Sequence, residues 1–413
     1  MELVGAKLEE VVHGIARAEI GNENPPASES NEVLAKLVSL GTELWVDTGE
    51  LELARSIWKK ELTSVTTNNT LANQVVQKGV MDEVIEETVG KLRDAAPDLS
   101  EKERVMEIGF AINCKIAMRL AGAFRCKVSV ELHPSISRDI EKTIYYARRY
   151  YRVCPEFFYV KIPLTPEGYL AVRKLRKEGI PINFTLGFSA RQNYLAARLS
   201  NPNYVNVFLG RLNQVVVDNA MGTGKWVGEK TTLATQEAIS RLRNQYPSIQ
   251  TKLIGASIRS GDQVAALAGL DVLTIPPAAM KSFLESGRTP DQVTSGLDKN
   301  EAAGIEPDEA GRFAKLWDIP DSFETFVGIL LKNDRLESLS GDELVAMCED
   351  YDVDLFHRFS PEDLQKIYDC GKIPKIGNWP DNVALDNLMT QSALQSFAKD
   401  QDALDDRIRS FLV

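Results

Sequence analysis

The sequence predicts an α/β fold, a closed (β/α)8 barrel with extra helices at its N- and C-terminal ends. Three observations predict it. Eight short apolar runs with strand character lie between residues 43 and 276. Most gaps between them hold amphipathic helical stretches, and strand and helix alternating eight times is the pattern of a parallel barrel. Several runs also carry polar side chains on one face near their C-terminal ends, where barrels keep their functional groups. An open doubly wound sheet is the competing arrangement.

Taken in order, a short first helix is expected near the N-terminus, then a loop at GNENPPASESN (21–31). The strand runs are ELWVDT (43–48), SVTTN (64–68), KVSVELH (127–133), FFYVKIP (157–163), PINFTLGF (181–188), VNVFLGRL (205–212), KLIGAS (252–257) and VLTIP (272–276). Helices are expected at LELARSIWKK, TPEGYLAVRKLRKEG, SARQNYLAARLS and TLATQEAISRLRNQ, and the long gap after the second strand has room for two or more. After residue 277 the strand signals stop. SGDELVAMCED (340–350) and SPEDLQKIYDCG (360–371) read as short capped helices. Residues 385–412 read as a long amphipathic terminal helix, broken at most once. The expected organisation is a barrel with its N-terminal helix over 1–285 and a helical extension over 286–413 packing on it.

Strand parity then gathers a site. Residues two apart in a strand share a face. In 157–163 Phe158, Val160 and Ile162 fall on one face, Tyr159 and Lys161 on the other. The same split pairs Asp47 with Trp45, Asn68 with Thr66, and Glu131 with Ser129 and His133. It places Asn183, Thr185, Gly187 and Ser189 together, and Ser257 with Gly255, with Arg259 following. Any one of these could be a solvated strand end or a buried hydrogen-bond partner. Several strands agreeing favours a shared site at the C-terminal mouth.

Composition narrows the chemistry. The chain has 413 residues, 44% hydrophobic and 26% charged, with a net charge of −11 and no long basic run. Nucleic-acid binding as the main task is disfavoured, because a phosphate backbone needs a basic surface. No apolar run approaches the roughly 20 residues of a membrane span, and the glutamate-rich N-terminus lacks a signal-peptide core. Five scattered cysteines without CxxC spacing support neither a disulfide framework nor a zinc site. The expectation is a cytoplasmic protein with no membrane or nucleic-acid partner, monomeric or homodimeric. Only three histidines occur, His13, His133 and His357, so acid–base work falls to carboxylates and lysine. Desolvation disfavours a lysine's charged form, and a neutral amine can attack a ketone to form a Schiff base. The plainer reading of Lys161 is a structural lysine paired with a buried carboxylate such as Glu131. The two readings are compatible, since that carboxylate can relay protons. Arg211 and Arg259 are expected to end strands six and seven, where barrels often bind phosphate.

Seven ordered segments carry a resemblance. WVDTGEL (45–51), TSVTTNNTL (63–71), VSVELHPSISRD (128–139), YVKIPLTPEG (159–168), INFTLGFSARQ (182–192), FLGRL (208–212) and GASIRS (255–260) follow the order and rough spacing of the transaldolases, a family this chain resembles. SFAKDQDALDDRI also resembles that family's C-terminus. The resemblance runs from about residue 40 to 285 and resumes near 383. It implies a class I aldolase mechanism on a TIM barrel, with no metal or organic cofactor. Lys161 matches the Schiff-base lysine and Asp47 the acid–base aspartate. Glu131 and Thr185 match the pair that holds the catalytic water. Asn68 and Asn183 match residues binding the dihydroxyacetone hydroxyls, and Arg211, Ser257 and Arg259 the sugar-phosphate site. Asn206 stands at a substrate-binding position where bacterial members usually carry serine. Asn69 replaces a usual proline and Gly187 a usual leucine. The implied partners are sugar phosphates. A fructose-6-phosphate-type aldolase is the near alternative, associated in the family with a tyrosine where this chain has Phe208. A non-catalytic sugar-phosphate binding protein on the same barrel is the distant one.

Two other motifs fail on their own terms. NAMGTGKW (219–226) lacks the first Walker glycine and puts Trp226 where Ser or Thr must meet magnesium. DYDVDLFHRFSPE (350–362) lacks the glycine of an EF-hand loop and puts Pro361 where the closing glutamate ligand belongs.

Overall fold

A computed structural model describes residues 5–17 and 28–412. Eight parallel strands close into a barrel in sequence order. They are β1 (Glu43–Asp47), β2 (Leu62–Thr66), β3 (Lys127–Glu131), β4 (Phe158–Pro163), β5 (Ile182–Thr185), β6 (Tyr204–Phe208), β7 (Lys252–Ala256) and β8 (Val272–Ile275). β8 pairs back onto β1, with Trp45 opposite Thr274. No open edge remains, so the doubly wound alternative is excluded. Part of the expected 21–31 loop lies outside the described residues.

Strand alternation sorts the side chains as parity predicts. Phe158, Val160 and Ile162 are buried on the face of β4 that meets the helices. On the inner face Trp45, Tyr159 and Tyr204 pack ring to ring, with centroids 4.7 to 6.0 Å apart. Each precedes by two residues a polar side chain of the site: Asp47, Lys161 and Asn206. The aromatic trio thus fills the barrel interior one pleat below the mouth and leaves the polar layer above it.

Three helices occupy the long gap after β2: Asn69–Gln77, Asp82–Ala95 and Glu101–Phe124. The last begins with a capping box, Ser100 and Glu103 each serving the other's backbone N–H. The N-terminal helix Ala6–Ala16 packs against the second and third of these. Beyond β8, helices Gly341–Asp350 and Pro361–Cys370 each start on a capping box, with Ser340 and Ser360 as caps. The terminal helix Leu385–Arg409 is unbroken over 25 residues.

Several strand ends differ from the sequence expectation. The sixth run stops at Phe208, and Leu209–Asp218 turns into a helix. Arg211 therefore sits in a helix's first turn and does not end a strand. Gly210 permits the turn: a Cβ there would lie 2.2 Å from the Ser257 carbonyl oxygen. β2 ends at Thr66, and Asn68 is the N-cap of the next helix, accepting from Leu71 N. β7 ends at Ala256, leaving Ser257 at φ +62° rather than in the strand. The fifth run ends at Thr185, because Leu186 takes a left-handed φ of +69°.

Candidate active site

Strand β4 delivers Lys161 into the barrel between β3 and β5, opposite Glu131 on one side and Asn183 on the other. Its Nζ lies 3.0 Å from Glu131 Oε2 and donates to the Thr67 carbonyl at 3.0 Å. Lys161 is 4% exposed and Glu131 3%. Burial alone therefore does not describe the amine. It is desolvated as one half of an ion pair, with a carboxylate and a carbonyl as acceptors. Burial also raises the Glu131 carboxyl above its ordinary range, against the pull of Lys161.

The lysine opens on a cavity of about 140 Å³ at the barrel mouth. Asp47 shares it from the end of β1. Desolvation raises the Asp47 carboxyl, while Lys161, a hydrogen bond from Thr66 and the charge of Arg259 oppose the shift. Thr66 Oγ1 donates to Asp47 Oδ1 at 2.7 Å and lies 2.6 Å from Thr274 Oγ1, so one hydroxyl chain orients the carboxylate. A partly protected carboxylate with a raised pKa is suited to accept and return a proton.

Asn68, Asn183 and Asn206 also line the cavity. Asn183 Nδ2 donates to Ser129 Oγ at 3.1 Å and its Oδ1 accepts from Asn206 Nδ2 at 3.3 Å. Asn206 Oδ1 accepts from Gly187 N at 3.3 Å. A Cβ on residue 187 would lie 2.1 Å from the Asn206 carbonyl oxygen and 2.9 Å from Asn193 Oδ1. Gly187 and Asn206, two of the departures from the usual family pattern, are thus in contact and fit one another. The third departure has its own partner: Asn69 Nδ2 donates to Gln401 Oε1 on the terminal helix at 2.9 Å.

Arg211, Ser257 and Arg259 form the cavity's cationic wall. Arg211 is 7% exposed, its Nη1 has no partner, and no carboxylate pairs with it among the described residues. Its guanidinium lies between the rings of Phe208 and Phe397, 5.8 and 5.5 Å from their centroids. Burial first, and then the charge of Arg259, push its pKa down to about 10. A buried cation without a counter-ion, beside a second arginine, is a demand for an anion.

Eight of the ten residues singled out in the sequence line this one cavity. Glu131 and Thr185 do not; Glu131 backs the lysine, and Thr185 pairs across from Pro163 of β4 with a buried, unpartnered Oγ1. Sequence reasoning missed Thr66 and Thr274 as the orienters of Asp47, although both share the inner-face parity. It also missed Phe397 and Lys372, which reach the cavity from the terminal helix and the extension. No local pattern marks them. In the EF-hand-like run, Asp354 is engaged by Arg191, at 2.6 Å, and by Lys315.

A closed eight-stranded barrel with a buried lysine, a carboxylate and arginines that have no carboxylate partner among the described residues around one mouth defines an α/β-barrel enzyme. The sequence model of the Transaldolase/Fructose-6-phosphate aldolase family matches residues 44–318, and the chain belongs to that family. A probable transaldolase of Thermus thermophilus is 32% identical over 247 residues, 59% of this chain and 91% of that protein. A probable transaldolase of Hyphomonas neptunium is 36% identical over 151 residues, 36% of this chain and 62% of the relative. The transaldolase of Xanthomonas euvesicatoria pv. vesicatoria is 27% identical over 275 residues, 65% of this chain and 83% of that one. Most of the helical extension lies beyond the family match. No helix of the described residues is long and apolar enough to cross a membrane.

Proposed function

We propose that this chain is a transaldolase of the pentose phosphate pathway. It moves a dihydroxyacetone unit from a ketose phosphate, sedoheptulose 7-phosphate or fructose 6-phosphate, to an aldose phosphate, glyceraldehyde 3-phosphate or erythrose 4-phosphate. The observation that carries this reading is the buried Lys161 opening on a cavity it shares with Asp47 and the unpaired Arg211.

The phosphate binds against Arg211 and Arg259, which fixes the sugar's carbonyl carbon near Lys161. Glu131 takes a proton from the Lys161 ammonium, the freed amine adds to that carbonyl, and loss of water gives an iminium. Glu131 and Thr185 hold this water and pass its protons; Glu131 Oε2 faces Lys161, and among the described residues the Thr185 hydroxyl has no partner. Asp47 then takes the proton of the C4 hydroxyl. The C3–C4 bond breaks, its electron pair moves to the iminium to give an enamine, and the aldose leaves. The enamine carbon attacks the acceptor aldehyde, Asp47 returns the proton, and water hydrolyses the new imine to free Lys161. Asn68, Asn183 and Asn206 hold the hydroxyls of the three-carbon unit throughout. Phe208 lines the cavity without a hydroxyl, which favours retention of the enamine for transfer over release as an aldolase.

Borohydride reduction in the presence of fructose 6-phosphate tests the imine. Peptide mass mapping is expected to find a reduced three-carbon or six-carbon adduct on Lys161. A chain that binds the sugar but yields no adduct is a binding protein, and the mechanism fails.

A further inference from the structure

The helical extension sends two side chains into the active-site cavity, Phe397 and one charged group, Lys372. Lys372 follows the helix Pro361–Cys370 and lines the cavity together with Arg211 and Arg259. It is exposed, and among the described residues no carboxylate pairs with it. Its neighbours are fixed although its own ammonium is free. Gly371 ends the helix at φ +83°, and its carbonyl accepts from Ser392 of the terminal helix at 3.2 Å. Pro374 O accepts from Asn219 Nδ2 at 3.0 Å, and Ile376 N donates to Asn219 Oδ1 at 2.8 Å. Lys375 is taken up by the Asp218 carbonyl at 3.1 Å. Asn219 caps the same helix, Leu209–Asp218, that carries Arg211 in its first turn. One helix therefore positions both Arg211 and the segment bearing Lys372.

Such anchoring has a chemical use. Lysine loses much side-chain freedom when it binds an anion, and a fixed backbone lowers that cost. Arg211 is buried, and among the described residues neither it, Arg259 nor Lys372 has an ion-pair partner, in a chain of net charge −11. A dianionic phosphate would satisfy this cluster.

We propose that Lys372 is a further substrate-binding residue, supplied by the extension, that holds the phosphate group of the sugar together with Arg211 and Arg259. This rests on the sugar-phosphate reading of the cavity. It gives the extension a part in selecting phosphorylated substrates.

The test compares the full-length wild type with Lys372→Met and Lys372→Arg. Two readouts are used. Inorganic phosphate is titrated by calorimetry, which needs no turnover. Borohydride trapping on Lys161 is followed against fructose 6-phosphate concentration. Lys372→Met is expected to weaken phosphate binding about fivefold and raise the half-saturating fructose 6-phosphate concentration by a similar factor, as for one exposed charge pair. Lys372→Arg is expected to recover most of both. Unchanged phosphate affinity in Lys372→Met overturns the proposal, as does an equal loss for unphosphorylated fructose trapping. If no trapping occurs in any form, the imine reading fails while the calorimetric comparison still decides the role of Lys372.

Discussion

Lys161 and Glu131 are each nearly solvent-free, so each is the other's main compensation. Removing one partner of a buried pair leaves a charge without a counterpart, typically at a cost of about 3–5 kcal/mol. Lys161→Met is expected to abolish transfer and lower the melting temperature. Adding Glu131→Gln is expected to return part of the stability and none of the activity. Transfer at the wild-type rate in the single variant would remove Lys161 from the chemistry. Asp47 offers a second separation. As a base it must be ionised, and burial raises its pKa, so activity is lost as pH falls through a value above the ordinary aspartate range. The bond from Thr66 pulls that value down. Thr66→Val is therefore expected to move the acid limb of the pH–rate profile to higher pH. A limb that stays in place assigns it to another group.

The terminal helix Leu385–Arg409 is unusual in burying polar side chains as well as apolar ones. Its polar face answers loops at three places around the barrel mouth. Asp386 binds Ser189 Oγ at 2.7 Å and takes a two-pronged contact from Arg191 at 2.8 and 2.9 Å. Thr390 Oγ1 donates to Leu186 O at 2.8 Å, beside the left-handed turn that ends β5. Gln401 meets Asn69 after β2, and Asp405 lies 3.2 Å from His133 after β3. Held this way, the helix sets the Phe397 ring 5.9 Å from Lys161 Nζ and 5.5 Å from the Arg211 guanidinium. Phe397 is 2% exposed, and truncating a buried phenylalanine costs about 3–5 kcal/mol. Beyond that loss, Phe397→Ala is expected to admit water to the enamine. Free dihydroxyacetone released without an acceptor, relative to the transfer rate with one, should rise. A ratio equal to the wild type's would leave Phe397 as packing alone.

At the scale of the whole chain, the barrel and most of its site were legible because both obey local periods. Alternation placed Asp47, Lys161, Glu131 and Asn183 on the inner face, and register then made neighbours of Glu131, Lys161 and Asn183. What was not legible depends on contacts between distant segments. VNVFLGRL reads as one apolar run, yet a helix takes over after Phe208, and Gly210 in it packs against the Ser257 carbonyl just past the end of β7. The turn at Leu186 is fixed from Thr390, 204 residues away. Phe397 and Lys372 sit in segments whose own patterns concern helix packing, and nothing nearby in sequence announces a cavity. The same separation orders events during synthesis. Every side chain from Asp47 to Arg259 leaves the ribosome before Phe397 does. Until the helix Leu385–Arg409 docks, the cavity lacks the Phe397 wall beside Lys161 and Arg211.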